Sequence, residues 1–185
     1  MEKYPKLLIA ILLTLTSCNQ IHIKSKNTAQ IISLPDSSLI ILNIDSKISF
    51  NKDFHERKVI LQGEGFFIVN PKSKQFIVET NHGDICVLGT SFNVESNKDQ
   101  LNVEVDEGEV EVIIKDEKKK LLRGERILYN DAKQLFIKRK AEFKHHIWTE
   151  EFKNDMSYLE KEVEKGGKKL HKRLKKWRNE IKNKL

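Results

Sequence analysis

The chain lacks most of what a catalytic or cross-linked protein needs. Two cysteines in 185 residues cannot build a disulfide framework. No H-E-x-x-H, G-x-S-x-G, phosphate-loop or paired-cysteine motif occurs, so no catalytic constellation, metal site or cofactor site can be assembled from the sequence. Only six of the 34 basic residues are arginine. Lysine is a point charge, whereas arginine is the fork that reads phosphates and carboxylates, so a nucleic-acid partner is not expected. Long apolar runs are also missing: none approaches the roughly 18 residues of a membrane-spanning helix. What is present suits one domain with an appendage. Hydrophobic residues make up 38%, enough for a real core at this length. The net charge of +7 is unevenly spread: residues 18–140 hold 19 basic and 18 acidic residues, residues 141–185 hold 13 and 8. The basicity belongs to the C-terminal end.

The N-terminus carries a recognisable pattern. Lys3 and Lys6 precede Leu7–Leu15, apolar except for Thr14. Nine residues rise only about 14 Å as a helix, too short for a bilayer core of roughly 30 Å, and read as a secretory signal. Leu15-Thr16-Ser17-Cys18 resembles the lipobox of bacterial lipoproteins. That resemblance implies cleavage of residues 1–17, lipid attachment at Cys18 and membrane contact through that anchor. Asn rather than Asp at position 19 implies an outer-membrane lipoprotein facing the periplasm. On this topology no cytoplasmic portion survives processing.

Beyond Cys18, residues 18–30 are polar and aperiodic and read as a tether. Residues 31–140 read as a β domain. Short Val-, Ile-, Leu- and Phe-rich runs are expected as strands at 38–44, 57–62, 65–70, 75–80, 84–89, 91–95, 101–106, 109–114, 119–123, 126–130 and 134–138. The short gaps exclude crossover helices, so the class is all-β. Phe66–Val69 and Ile85–Leu88 are apolar on both faces and are expected as central strands. Val103 and Val105, then Val110 and Val112, alternate with acids on either side of Glu107-Gly108, the pattern of a hairpin with one wet face. Gly-Glu recurs at 63–64, 108–109 and 124–125, which hints at stacked repeats. From about residue 141, Phe152, Met156, Leu159, Val163, Leu170, Leu174, Trp177, Ile181 and Leu185 keep helical spacing. This predicts a long C-terminal α-helix, with a kink or break at Gly166-Gly167.

The β segment resembles a known family. Leu34-Pro35-Asp36-Ser37-Ser38 with Leu42-Asn43 is similar to L-P-D-G-S…L-N. Leu61–Val69 is similar to L-x-G-E-A-Y-F-E-V, and Phe76, Val78 and Thr80 to P-F-x-V-x-T. Val87–Val94 matches V-L-G-T-x-F-N-V, and Glu107–Val112 with Gly124-Glu125 matches the closing E-G-x-V-x-V and P-G-E elements. These belong to the FecR domain, the periplasmic module of ferric-citrate-type regulators. Departures are Ser37 for Gly, Gly65 for Ala and Arg123 for Pro. The resemblance implies a FecR-like module, folded as a sandwich or as solenoid-like stacked hairpins, that senses or binds protein. It also implies a link to envelope or TonB-dependent-transport signalling. The topology argues against a direct sigma-factor antagonist, since antagonism in that family resides in a cytoplasmic segment.

Individual residues divide into several groups. Gly63, Glu64, Gly89, Thr90, Phe92, Asn93, Gly108 and Gly124 are read as structural motif positions, with Gly89 needed either for positive φ or for close approach of another strand. Phe66, Phe67, Phe76 and Phe92 are expected in the core, and Cys86 as a buried, inert thiol. The acids Glu104, Asp106, Glu107, Glu109 and Glu111 crowd one ribbon; they are read either as a solvated face relieved by Lys115 and Lys118–Lys120 or as a docking surface for something basic, which could be the chain's own tail. Lys169, Lys172, Arg173, Lys176 and Trp177 lie in a tail with nine basic residues between 168 and 184, suited either to an anionic surface or to packing on the module. His145-His146 is not expected to bind metal. The reading is a non-enzymatic, lipid-anchored envelope protein with an envelope protein partner. The alternative is a structural envelope lipoprotein whose basic helix binds anionic lipid or polysaccharide.

Overall fold

A computed structural model describes residues 19–143. The signal segment, Cys18 and the expected helical tail with its basic residues and His145-His146 lie outside these residues. The described chain is all-β: β1 Gln20–Lys24, β2 Gln30–Ser33, β3 Leu39–Leu42, β4 Lys47–Asn51, β5 Lys58–Ile68, β6 Phe76–Glu79, β7 Asp84–Val87, β8 Ser91–Ser96, β9 Gln100–Glu107, β10 Glu109–Ile114, β11 Glu117–Leu122, β12 Glu125–Asn130 and β13 Leu135–Lys140.

All thirteen strands form one sheet, with the path β11-β10-β7-β6-β5-β8-β9-β12-β13. Strand β5 is the axis. Its first part, Lys58–Gln62, pairs with β4 and β6; its second, Gly63–Ile68, pairs with β3 and β8. Residues expected as two strands, 57–62 and 65–70, are therefore one strand bent at Gly63, where φ is +92°. A flat strand of this length would measure about 35 Å. Instead Arg57, just before β5, donates from Nη2 to the carbonyl of Asn70, just after it, at 2.7 Å. The bend also explains the one parallel pair, β5 with β6, made without a crossover helix. The sheet curls into a half-barrel. Its path ends lie side by side: Lys119 sits 5.3 Å from the ring centroid of Phe136, and Lys138 donates to the carbonyl of Lys120 at 3.3 Å.

Both halves of the curl supply one core. Phe50, Phe54, Phe76, Phe67 and Phe92 form a continuous aromatic chain through it, with centroid separations of 5.2–6.2 Å. Phe67, Phe76 and Phe92 are in the core as expected. Phe66 is buried but lies outside that cluster, on the opposite face of β5.

Several expectations are corrected. The tether contains β1, paired with β4 along its whole length, so the module begins at Gln20. Ile21 and Ile23 are too few to announce a strand, and the same holds for Ile48 and Phe50 in β4 and Ile31 and Ile32 in β2. Leu88 is 52% exposed, beyond the end of β7. The largest correction concerns 101–114: β9 and β10 do not form a hairpin. Strand β9 pairs with β8 and β12, β10 with β7 and β11. At Gly108, φ +89°, the chain crosses from one half of the sheet to the other. It crosses again at Gly124, φ +79°, between β11 and β12. The three Gly-Glu pairs are therefore not stacked repeats. They are hinges at which the chain changes halves, where glycine takes a left-handed conformation at no steric penalty.

Candidate functional site

The motif residues meet in three polar clusters. In the first, Glu64 follows the hinge at Gly63. Asn43 donates from Nδ2 to its Oε2 at 2.6 Å and Asn93 from Nδ2 to Oε1 at 2.8 Å. The Glu64 amide donates to Ser46 Oγ at 2.8 Å, and the Asn43 amide to the Glu64 carbonyl at 2.9 Å. One carboxylate thus ties together β5, β8 and the β3–β4 corner. Gly63 is forced twice over: a Cβ there would lie 2.9 Å from the Ser46 Cα.

In the second cluster Asp36 and Arg57 form a buried ion pair, 5% and 4% exposed. Arg57 donates from Nε to Asp36 Oδ2 at 2.8 Å, and Nη1 donates to the Lys74 carbonyl. Asp36 also accepts from the amide and the hydroxyl of Ser38, both at 2.9 Å. Ser37, standing where the family pattern has Gly, has φ +67°.

The third cluster holds the β7–β8 corner. Thr90 donates from Oγ1 to the carbonyl of Glu109 at 3.0 Å. Gly89 is not left-handed; a Cβ there would come within 2.6 Å of the Pro71 Cα, so close approach is its requirement. Phe92 stacks on Phe67 at 5.2 Å.

Glu104, Asp106, Glu109 and Glu111 separate instead of forming one docking surface. Glu109 pairs with Lys120 at 2.6 Å and Glu111 with Lys118 at 3.5 Å, on the neighbouring strand β11. Glu104 and Asp106 are buried, 3% and 8% exposed, and belong to the other half. Glu104 lies 3.5 Å from Arg126 and accepts from the backbone amides of Glu142 at 3.3 Å and Phe143 at 3.0 Å. Arg126 bridges on to Glu142. This carboxylate therefore clamps the point where the chain leaves the sheet. Cys86 is a free thiol, 7% exposed, and burial first, then Asp84 and Glu111, push its pKa up, which keeps it in the unreactive thiol form.

Arg57, Arg126 and Asn70 were not singled out from sequence. The available signal was the scarcity of arginine in a lysine-rich chain: Arg57 and Arg126 are the buried basic side chains among the described residues.

These clusters define a class: a curled β module whose recurrent polar positions brace its own sheet. The comparisons agree. Residues 20–111 match the family model described as FecR protein. The chain is a member of the FecR-domain family. Two crystal structures are similar, both described as a "putative anti-sigma factor from Parabacteroides distasonis ATCC 8503". Each is 30% identical to this chain, with TM-scores of 0.63 and 0.62. The match covers 65% of this chain and 60% or 59% of theirs, so the chain spans about three fifths of those structures. No curated protein matches it.

Proposed function

We propose that this chain is a lipid-anchored cell-envelope protein whose FecR domain acts by protein contact in envelope signalling. The observation that carries this is the FecR match over residues 20–111, supported by the kinship of the same fold to chains described as anti-sigma factors. In this reading the domain is a sensing or interaction module, not an enzyme, because its motif side chains are engaged in bracing hydrogen bonds. Lipidation of Cys18 after export places the module outside the cytoplasm, at the outer membrane facing the periplasm. It therefore does not hold a sigma factor itself; its influence passes through another envelope protein, for which a TonB-dependent receptor system is the expected context. The anchor would have no slack. Asn19 alone separates Cys18 from β1, and its carbonyl accepts the Lys52 amide at 2.8 Å, so the β1–β4 end of the sheet would sit against the headgroups.

The test is a deletion strain complemented with wild-type chain or with Cys18→Ala, read by palmitate labelling and by transcript profiling. Wild type should label and restore a discrete set of transcripts; Cys18→Ala should do neither. Continued labelling of the variant overturns the anchor, and a deletion that leaves transcripts unchanged overturns the signalling role. The second outcome would favour a structural lipoprotein whose nine basic residues between 168 and 184 bind anionic lipid or polysaccharide.

A further inference from the structure

The outer face of β1, β4 and β5 holds a like-charged pair that the fold does not neutralise. Ile21 and Ile23 of β1, Ile48 and Phe50 of β4, and Val59 and Leu61 of β5 pack on the core cluster. The residues that alternate with them, His22, Lys24, Lys47, Ser49, Ile60 and Gln62, share the opposite face and line a groove of about 240 Å³. Lys24 stands directly opposite Lys47. The Asn19 carbonyl accepts from the Lys52 amide, and the Ser25 amide donates to the Ser46 carbonyl. The hydrogen-bonded pairs therefore fall on the odd-numbered residues of β1. Lys24 and Lys47 form a non-hydrogen-bonded pair, the kind whose side chains stand closest. Like charges placed in this way disfavour pairing of the two strands.

Elsewhere lysines have partners. Lys58 pairs with Glu79, Lys118 with Glu111, Lys119 with Glu117, Lys120 with Glu109 and Lys138 with Glu125. No carboxylate lines this groove, and among the described residues neither Lys24 nor Lys47 has an ion pair. The neighbouring groove, which shares Ser49 and Ile60, differs: both Glu56 and Lys58 line it.

We propose that the groove holds the headgroup of an anionic phospholipid. Its phosphate sits between the Lys24 and Lys47 ammonium groups, the His22 imidazole and the Ser49 hydroxyl donate hydrogen bonds beside it, and Ile60 meets the glycerol carbons. The bound anion relieves the repulsion that the bare pair carries. Its source rests on the anchor reading. Six residues, about 20 Å of extended chain, separate Cys18 from Lys24, so a lipid at Cys18 keeps β1 within reach of the headgroup layer.

The test uses the processed chain, residues 18–185, carrying Cys18→Ala so that no anchor contributes. Short-chain phosphatidylglycerol, phosphatidylcholine of the same chain length and inorganic phosphate are each titrated in, and the backbone amides of His22, Lys24, Lys47 and Ser49 are followed by NMR. Phosphatidylglycerol should shift these amides saturably, and Lys24→Gln/Lys47→Gln should weaken that binding about tenfold or more. The double variant should melt no lower than the parent, because it removes a like-charge pair, so lost binding is separable from lost fold. No shift with phosphatidylglycerol overturns the proposal. Equal shifts with phosphatidylcholine, or with phosphate alone, overturn the anionic-lipid assignment, and an affinity unchanged in the double variant overturns the role of the two lysines. Palmitate labelling of Cys18 in cells reports on the anchor separately, so failure of either reading is distinguishable from failure of the other.

Discussion

Replacing Asp36 by alanine tests whether the curl of β5 depends on one ion pair. Arg57 connects three places: the turn before β3 through Asp36, and both sides of the loop after β5 through the carbonyls of Asn70 and Lys74. It also lies 5.6 Å from the ring centroid of Phe76. In Asp36→Ala the two carbonyls remain, but they are neutral and do not compensate a buried guanidinium. Removing one partner of a buried ion pair typically destabilises by about 3–5 kcal/mol. The hydrogen bonds from the Ser38 amide and hydroxyl are lost as well. For a domain of this size the expected fall in melting midpoint is roughly 10–20 °C. Thermal and urea denaturation followed by circular dichroism would measure it, with the urea m-value checking that the unfolded state is unaltered. The double variant Asp36→Ala/Arg57→Met should lose less than the sum of the single variants, because it leaves no uncompensated charge. A loss below about 1 kcal/mol in Asp36→Ala, the range of an exposed pair, would refute the reasoning and show that the ends of β5 are held by something else.

Three further outcomes follow from the same geometry. Ser37→Gly should raise stability by about 1 kcal/mol, because a left-handed residue with a Cβ is strained by roughly that amount; a lower melting midpoint would show that the serine side chain outweighs the strain. Gly89→Val should lower stability by about 1–3 kcal/mol, the usual range for overpacking, since its Cβ meets the Pro71 backbone; an unchanged midpoint would show that the Pro71 loop yields freely. Asp84 is pushed up from 3.8 by burial first and by Glu79, its cross-strand neighbour, second. A carboxyl that holds its proton more tightly when folded loses stability as pH rises from about 4 through its folded pKa. Asp84→Asn should remove that decline and gain about 0.5 kcal/mol at neutral pH, from relief of a like-charge pair. Parallel stability–pH curves for the two proteins would contradict the assignment.

The strands that could be read from sequence are those that carry several apolar residues in a row or in clean alternation, such as Phe66–Ile68 in β5 and Val110–Ile114 in β10. Strands β1, β2 and β4 could not, because each offers only two apolar positions and gains its place through pairing: β1 rests on β4 and β2 on β3. The supposed hairpin at 101–114 failed for a different reason. Alternation states which residues face the core, and Val103, Val105, Val110 and Val112 do face it. It does not state which strand lies alongside. A glycine hinge lets two consecutive strands point into the same core from opposite halves, and the local pattern is identical to that of a hairpin. The acids are consequently divided between the two halves, Glu104 beside Arg126, Glu109 beside Lys120 and Glu111 beside Lys118.

The polar motif positions carry a similar lesson for function. L-N, G-E and F-N-V are separated by up to fifty residues in sequence, and each alone reads as a turn or a strand end. The fold brings Asn43, Glu64 and Asn93 onto one carboxylate. Asp36, Ser38, Arg57 and Asn70 gather in the same way around the ends of β5. Both oxygens of Glu64 accept from the asparagines of neighbouring segments, so these family positions brace the curl.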